Sequence, residues 1–116
     1  MPTPRSEVAG AAARGQIYIL GGLRPDRVSN DNEVYSPSIN RWRKVAPMPE
    51  PLHHPASTSV GNTIYLIGGF RQDGRPSANV WRYDVSTDSW GQVRPMPTPR
   101  GALGAAFAAG KIYAVG

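Results

Sequence analysis

The stretch Ile64-Tyr65-Leu66-Ile67-Gly68-Gly69 decides the fold, because the chain returns to it at a fixed interval. It stands earlier as Ile17-Tyr18-Ile19-Leu20-Gly21-Gly22 and begins a third time as Ile112-Tyr113-Ala114-Val115-Gly116. The offsets are 47 residues from Tyr18 to Tyr65 and 48 from Tyr65 to Tyr113. Met1-Pro2, Met48-Pro49 and Met96-Pro97 keep the same beat, and residues 1–5 and 96–100 both read MPTPR. A period of this length marks a solenoid or propeller, in which each unit is one supersecondary element that cannot bury its own apolar face. The chain therefore reads as one unit over about residues 1–47, a second over about 48–95, and part of a third over about 96–116.

The second unit serves as a template for strands. Ala56 to Val60 and Thr63 to Ile67 are short apolar runs joined by Gly61-Asn62, a tight-hairpin signal because glycine tolerates the positive φ of primed turns. Arg14-Gly15 and Ala109-Gly110 hold the corresponding places. Glycine weakens a strand, so the repeated pairs Gly21-Gly22 and Gly68-Gly69 imply an unusual φ/ψ or a backbone approached closely by its neighbour. Asn79 to Asp84 and Ser89 to Val93 read as the third and fourth strands. If Asp84 pairs with Ser89, Tyr83 lies directly opposite Trp90 and the two rings share a face. Tyr35 and Trp42 repeat the same seven-residue spacing. Each unit is thus expected to be a four-stranded antiparallel meander, with small residues in its first strand (Ala9 to Ala13; Gly104 to Ala106) where neighbouring units crowd a central axis. The fold class is all-β.

Diglycine after an apolar strand, then Tyr, six residues and Trp, at this period, resembles the kelch repeat of β-propellers, and the resemblance covers essentially the whole chain. It implies propeller blades that bind a protein or peptide partner through loops on one face. Propellers of this family close with about six blades, or roughly 280 to 300 residues at this period. With two blades and the inner hairpin of a third, the chain reads as part of a longer propeller, or as a unit that assembles with other copies into a ring; either way further blades are its expected neighbours. The family also contains carbohydrate-active members, a sialic-acid mutarotase and copper oxidases of the galactose-oxidase kind. The alternative implied is therefore a scaffold piece of such an enzyme, with an active site mostly outside this chain. No cysteine is present, so a Tyr-Cys copper site of that kind has no ligand here. The resemblance also places an arginine at Arg5 and Arg100, where the second unit has Leu52 followed by His53 and His54.

Composition narrows the chemistry further. Thirteen Gly and 12 Pro lie scattered between short apolar runs, as in a chain of many turns. Zero cysteines exclude disulfides and thiolate metal sites, and fit a reducing compartment such as the cytoplasm. No apolar run approaches the roughly 18 residues needed to span a bilayer, and two prolines within the first four residues do not resemble a signal peptide. The formal charge is +5, but the basic residues are spread without a cluster, so a nucleic-acid partner is not expected.

Four arginines stand out in the loops after the diglycines: Arg24 and Arg27 in the first unit, Arg71 and Arg75 in the second. Guanidinium forks bind carboxylates in bidentate fashion, so these loops suit an acidic peptide or carboxylate ligand. Asp26 and Asp73 offer the opposite reading, local neutralisation. His53 and His54 are the only histidines; adjacent residues on extended backbone point to opposite sides, which makes them poor joint ligands for a metal. Ser57, Thr58 and Ser59 lie near them with no acidic third member indicated. No catalytic, cofactor or metal constellation is expected. The repeated aromatics, Tyr35, Trp42, Tyr83 and Trp90 among them, read as packing; Trp81, with Val34 as its near counterpart, breaks the pattern.

Overall fold

A computed structural model describes all 116 residues. Ten strands form in chain order: β1 (Ala9–Ala13), β2 (Gln16–Leu20), β3 (Asn32–Ser36), β4 (Arg41–Lys44), β5 (Ala56–Val60), β6 (Thr63–Ile67), β7 (Val80–Asp84), β8 (Ser89–Val93), β9 (Gly104–Ala108) and β10 (Lys111–Val115). They make two four-stranded antiparallel sheets, β1-β2-β3-β4 and β5-β6-β7-β8, and a two-stranded sheet of β9 and β10. There is no helix, and the sheets do not close on themselves. These are propeller blades in an incomplete propeller. The third strand of the second blade starts at Val80, one residue inside the expected Asn79.

Turn chemistry sets each inner hairpin. Arg14 and Gly15 both take positive φ (51° and 72°), as do Ala109 and Gly110 (51° and 75°), whereas at Gly61-Asn62 only the glycine does (59°). Both geometries match the right-handed twist of the strands they join. The first strands meet at the inner edge of the blades, where Ser57 Oγ donates to Gly10 O at 2.6 Å and Ser59 Oγ to Ala12 O at 2.7 Å. Small side chains in β1 permit that approach, and the two serine hydroxyls are spent on the seam.

The diglycines satisfy both physical needs at once. Gly21 and Gly68 sit at φ 64° and 62°, Gly22 and Gly69 at 102° and 103°. A Cβ on Gly21 would collide with the carbonyl oxygen of Leu52, and one on Gly68 with that of Arg100. Those carbonyls belong to the segment entering the next unit, and they accept from the second glycine of each pair, Gly22 N to Leu52 O and Gly69 N to Arg100 O, both 2.8 Å. The Met-Pro markers share this junction: the Met48 and Met96 methyls lie 3.1 Å from where those Cβ atoms would stand. Gly21→Ala is therefore expected to cost at least about 2 kcal/mol, from left-handed strain plus displacement of the next blade. Gly15→Ala, with open space around its Cβ, should cost only about 1 kcal/mol. Chemical denaturation of the full chain measures both, and equal costs would refute the role of the junction.

One core runs through both blades, with Tyr18, Leu20, Val34, Met48, Leu52, Ile64, Leu66 and Tyr83 all buried. Tyr83 lies opposite Trp90 in the β7–β8 register and Tyr35 opposite Trp42 in β3–β4. The ring centroids are 4.9 and 5.1 Å apart. The second pair also closes the seam: the Tyr83 ring meets Tyr18 of the first blade edge-on at 5.7 Å, and Trp90 Nε1 donates to Ala46 O at 3.0 Å. Equivalent positions show what the neighbour does. Ile64 is 0% exposed against the first blade, while Ile17, its counterpart on the open side, is 42% exposed. At the other end Tyr113 is 51% exposed where Tyr18 is 2% exposed.

The register also corrects one equivalence. Trp81 pairs with Leu66 as Glu33 pairs with Ile19, so its counterpart is Glu33 and not Val34. Glu33 is fully buried with Arg5, Oε1 to Nη2 at 2.7 Å, and Thr3 Oγ1 donates to its other oxygen at 3.1 Å. Arg5 further donates to Gly21 O at 2.5 Å and Asp31 O at 3.1 Å. Arg100 repeats part of this on Gly116 O at 3.0 Å. In the second blade both members change together, to Leu52 and Trp81, replacing a buried charged pair with an apolar one, a swap that well-packed interiors accept.

Candidate functional site on the loop face

The β2–β3 and β6–β7 loops lie side by side, joined where Val28 N donates to Gln72 Oε1 at 2.8 Å. Each loop folds over the segment that enters its own blade and leaves a cleft. The first cleft, about 550 Å³, is lined by Pro4, Arg5, Ser6, Leu23, Arg24 and Pro25. The second, about 410 Å³, is lined by Glu50, Pro51, Arg71, Gln72 and Asp73. Pro4 and Pro51, and Arg24 and Arg71, hold equivalent places, so one cleft recurs once per blade on one face.

The structure divides the four loop arginines into two kinds. Arg24 and Arg71 line the clefts and are only partly exposed. Arg24 Nη1 lies 3.6 Å from Asp31 Oδ2, and Arg71 Nε lies 3.8 Å from Glu50 Oε2. Arg27 and Arg75 line neither cleft; each points to solvent beside its own loop carboxylate, Arg27 at 3.0 Å from Asp26 and Arg75 at 4.0 Å from Asp73. Exposed pairs of that kind contribute little to stability. All four arginines thus have a carboxylate nearby, and what separates them is place: Arg24 and Arg71 lie in the clefts, Arg27 and Arg75 outside them.

Carboxylates that the sequence reading passed over complete the site. Burial opposes ionisation of Asp31, but the Ser29 hydroxyl at 2.9 Å and the charges of Lys44, Arg5 and Arg24 outweigh it and hold the carboxyl below its ordinary range. Glu50 accepts from Asn79 Nδ2 at 2.8 Å through Oε2, and its buried Oε1 accepts no hydrogen bond. The second cleft is therefore lined by two carboxylates, Glu50 and Asp73, as well as a guanidinium, while the exposed charge lining the first is that of Arg24. A repeat signal was available for this: Thr3, Glu50 and Thr98 share one place in the period, and only Glu50 carries charge.

His53 and His54 do not diverge as extended backbone would have them. His54 takes φ 53°, which turns its ring back onto His53, with Nδ1 to Nδ1 at 2.7 Å. Glu7 Oε2 lies 2.8 Å from His54 Nε2, on the far side of that ring from His53, so the three groups form a line rather than a converging ligand set. No group of three or more His, Cys, Asp or Glu side chains is placed to hold a metal. No helix is long and apolar enough to cross a membrane.

Comparison with known proteins agrees with this architecture. The Kelch motif family model matches twice, over residues 4–49 and 51–97. Beta-scruin of Limulus polyphemus is 35% identical over 123 aligned residues, which cover 100% of this chain and 13% of that protein. Kelch-like protein 35 of Mus musculus is 33% identical over 117, covering 100% of this chain and 19% of that protein. Kelch-like ECH-associated protein 1A of Danio rerio is 38% identical over 103, covering 86% of this chain and 17% of that protein. The chain thus spans less than a fifth of the length of these curated relatives. Two family matches over most of its residues, on blades with the diglycine junction and the Tyr–Trp pair, show that the chain belongs to the kelch-repeat family.

Proposed function

We propose that this chain contributes blades to a protein-interaction propeller and binds a protein or peptide partner through the loop face, with Arg24 and Arg71 as its anchoring cations. The observation that carries this reading is the recurrence of one cleft per blade, each holding an arginine at the same place. Loops held on a rigid sheet scaffold are where binding residues concentrate. A guanidinium already near a carboxylate is oriented to exchange that partner for a ligand carboxylate in the same fork geometry. Asp73 and Gln72 add an exposed carboxylate and an amide, so the fitting partner carries acidic groups together with hydrogen-bond donors. Arg27 and Arg75 belong to the rim of the surface. Further blades, from a longer chain or from other copies, cover the open faces on this reading, and the contrast between Ile17 and Ile64 supports it.

The test is binding of the blade-complete protein to an array of acidic peptides and their charge-scrambled forms. Arg24→Ala with Arg71→Ala is expected to weaken the acidic binders by about tenfold or more, and raised salt to weaken them likewise. Arg27→Ala with Arg75→Ala should change little, because those exposed charges are already paired and screened. Full binding by the first double variant, or binding indifferent to salt, would refute the role of the cleft arginines.

A further inference from the structure

Glu7, His54 and Ala102 occupy the same place in three successive units, and all three take the left-handed conformation, at φ 54°, 53° and 52°. They form a backbone ladder across the units: His54 N donates to Glu7 O at 3.0 Å, and Ala102 N to His54 O at 2.9 Å. Only in the second unit does this ladder carry imidazoles. Each His ring also lies against Phe70, at 5.4 and 6.0 Å between centroids, and His53 is bridged to Phe70 by two backbone hydrogen bonds of 2.8 and 3.0 Å.

The number of protons on the two rings sets what this cluster does. A carboxylate only accepts, so the 2.8 Å contact places a proton on His54 Nε2. The 2.7 Å approach of the two Nδ1 atoms needs a single proton between them. With both rings neutral, His53 Nδ1 donates to His54 Nδ1. With one proton added, His54 carries both of its protons and donates to Glu7 and to His53 together. A second added proton sets two N–H groups and two cations against each other, and the contact fails. We propose that the Glu7–His54–His53 line is an acid-sensitive latch on the seam between the first two blades. It is closed while the imidazoles share one proton and opens when each carries its own.

The charged and titratable groups facing His53 are His54 and Glu7; Phe70 and the third unit's Ala102 bring none. Burial holds His53 below the ordinary histidine range, the His54 charge adds to this, and Glu7 opposes it. The folded state therefore prefers neutral His53. Its stabilising contribution is complete above about pH 6.5, the unfolded value, and is lost as pH falls below that toward the folded value. The first blade supplies an internal control: Ser6 is bridged to Leu23 by hydrogen bonds of 2.7 and 3.0 Å, as His53 is to Phe70, with no imidazole present. Because Phe70 leads directly into the Arg71 loop, opening would reach the second cleft. That consequence rests on the binding role proposed above, whereas the latch does not.

Amide hydrogen exchange on the full chain, at about pH 7.5 and about pH 5 and corrected for intrinsic rates, tests the latch. Protection at the His54 and Phe70 amides is expected to fall with acid by up to about tenfold for each pH unit below the unfolded value. Protection at Ser6 and Leu23 should hold, and His53→Gln should abolish the difference. A parallel fall at both bridges, or an undiminished difference in the variant, would overturn the proposal. Should His53→Gln fail to fold, the imidazole Cε1–H titrations of the unaltered chain decide. Two separated transitions, one below the ordinary range, support the latch; two coincident transitions near about 6.5 refute it.

Discussion

Replacing Arg5 by alanine is expected to destabilise the chain by about 3–5 kcal/mol, the range for breaking one partner out of a buried ion pair. Both side chains are 0% exposed, so removing the guanidinium leaves the Glu33 carboxylate without its counter-charge and without solvent. The same change strips donors from Gly21 O and Asp31 O, the carbonyls that flank the diglycine junction. Arg100→Ala is the matched comparison: its side chain makes one hydrogen bond, to Gly116 O, and has no carboxylate partner, so its loss should cost about 1 kcal/mol. Combining Arg5→Leu with Glu33→Trp rebuilds the pair that the second blade uses, Leu52 and Trp81, and should recover part of the stability lost by Arg5→Leu alone. Urea unfolding of the full chain gives all of these values. A cost for Arg5→Ala no larger than that for Arg100→Ala would show that water reaches the pair.

Trp90→Ala is expected to cost about 3 kcal/mol, the lower end of large aromatic truncations because the ring is half-buried. Two contacts go with it: the Tyr83 ring at 4.9 Å and the hydrogen bond to Ala46 O at 3.0 Å. Asp88 strengthens the same seam, accepting from Ala46 N at 2.9 Å and from Tyr83 Oη at 2.5 Å. Burial and that hydrogen bond to Asp88 push the Tyr83 phenol far above its ordinary pKa, so it stays protonated and donating across the working pH range. Trp42→Ala removes an equivalent ring from Tyr35 but no bond to another blade, and should cost about half as much. Melting midpoints of the two variants make the comparison. Equal shifts would show that the inter-blade contacts contribute nothing, and no shift for Trp90→Ala would remove the aromatic pair from the account of stability.

Much of the architecture was legible in the sequence because a repeat states each local rule more than once. The hairpins, the four-strand order, the Tyr83–Trp90 register and the need for glycine at the diglycines follow from turn chemistry, side-chain alternation and the period, whereas the structure shows that positive φ and close approach both apply there. The loop arginines were legible as residues but not as a pattern of cleft and rim, since that depends on which way each loop folds over its own blade entry. Glu50 was missed because it lies in the blade-entry segment, far in sequence from the Arg71 it faces, and Asp31 because only the folding of its loop brings it back beside Arg24. The buried Arg5–Glu33 pair left one trace, the joint change to Leu52 and Trp81, which becomes visible only when the strand register aligns Glu33 with Trp81.

The sequence by itself determined what a unit is: a four-stranded meander of the kelch kind, with glycine where the backbone turns left-handed and aromatics where its outer strands pair. Those features rest on interactions within a few residues or across one hairpin, which composition and spacing encode directly. The tertiary structure alone decided what each copy of a residue does. Ile17 and Ile64 are the same letter in the same place, and only the blade lying against Ile64 buries it. His53 and His54 meet because a left-handed residue at the seam reverses the divergence that extended backbone imposes. The burial of Ile64 and the contact of Glu7 with His54 depend on neighbours about one repeat away in sequence, and it is the stacking of blades that brings them together.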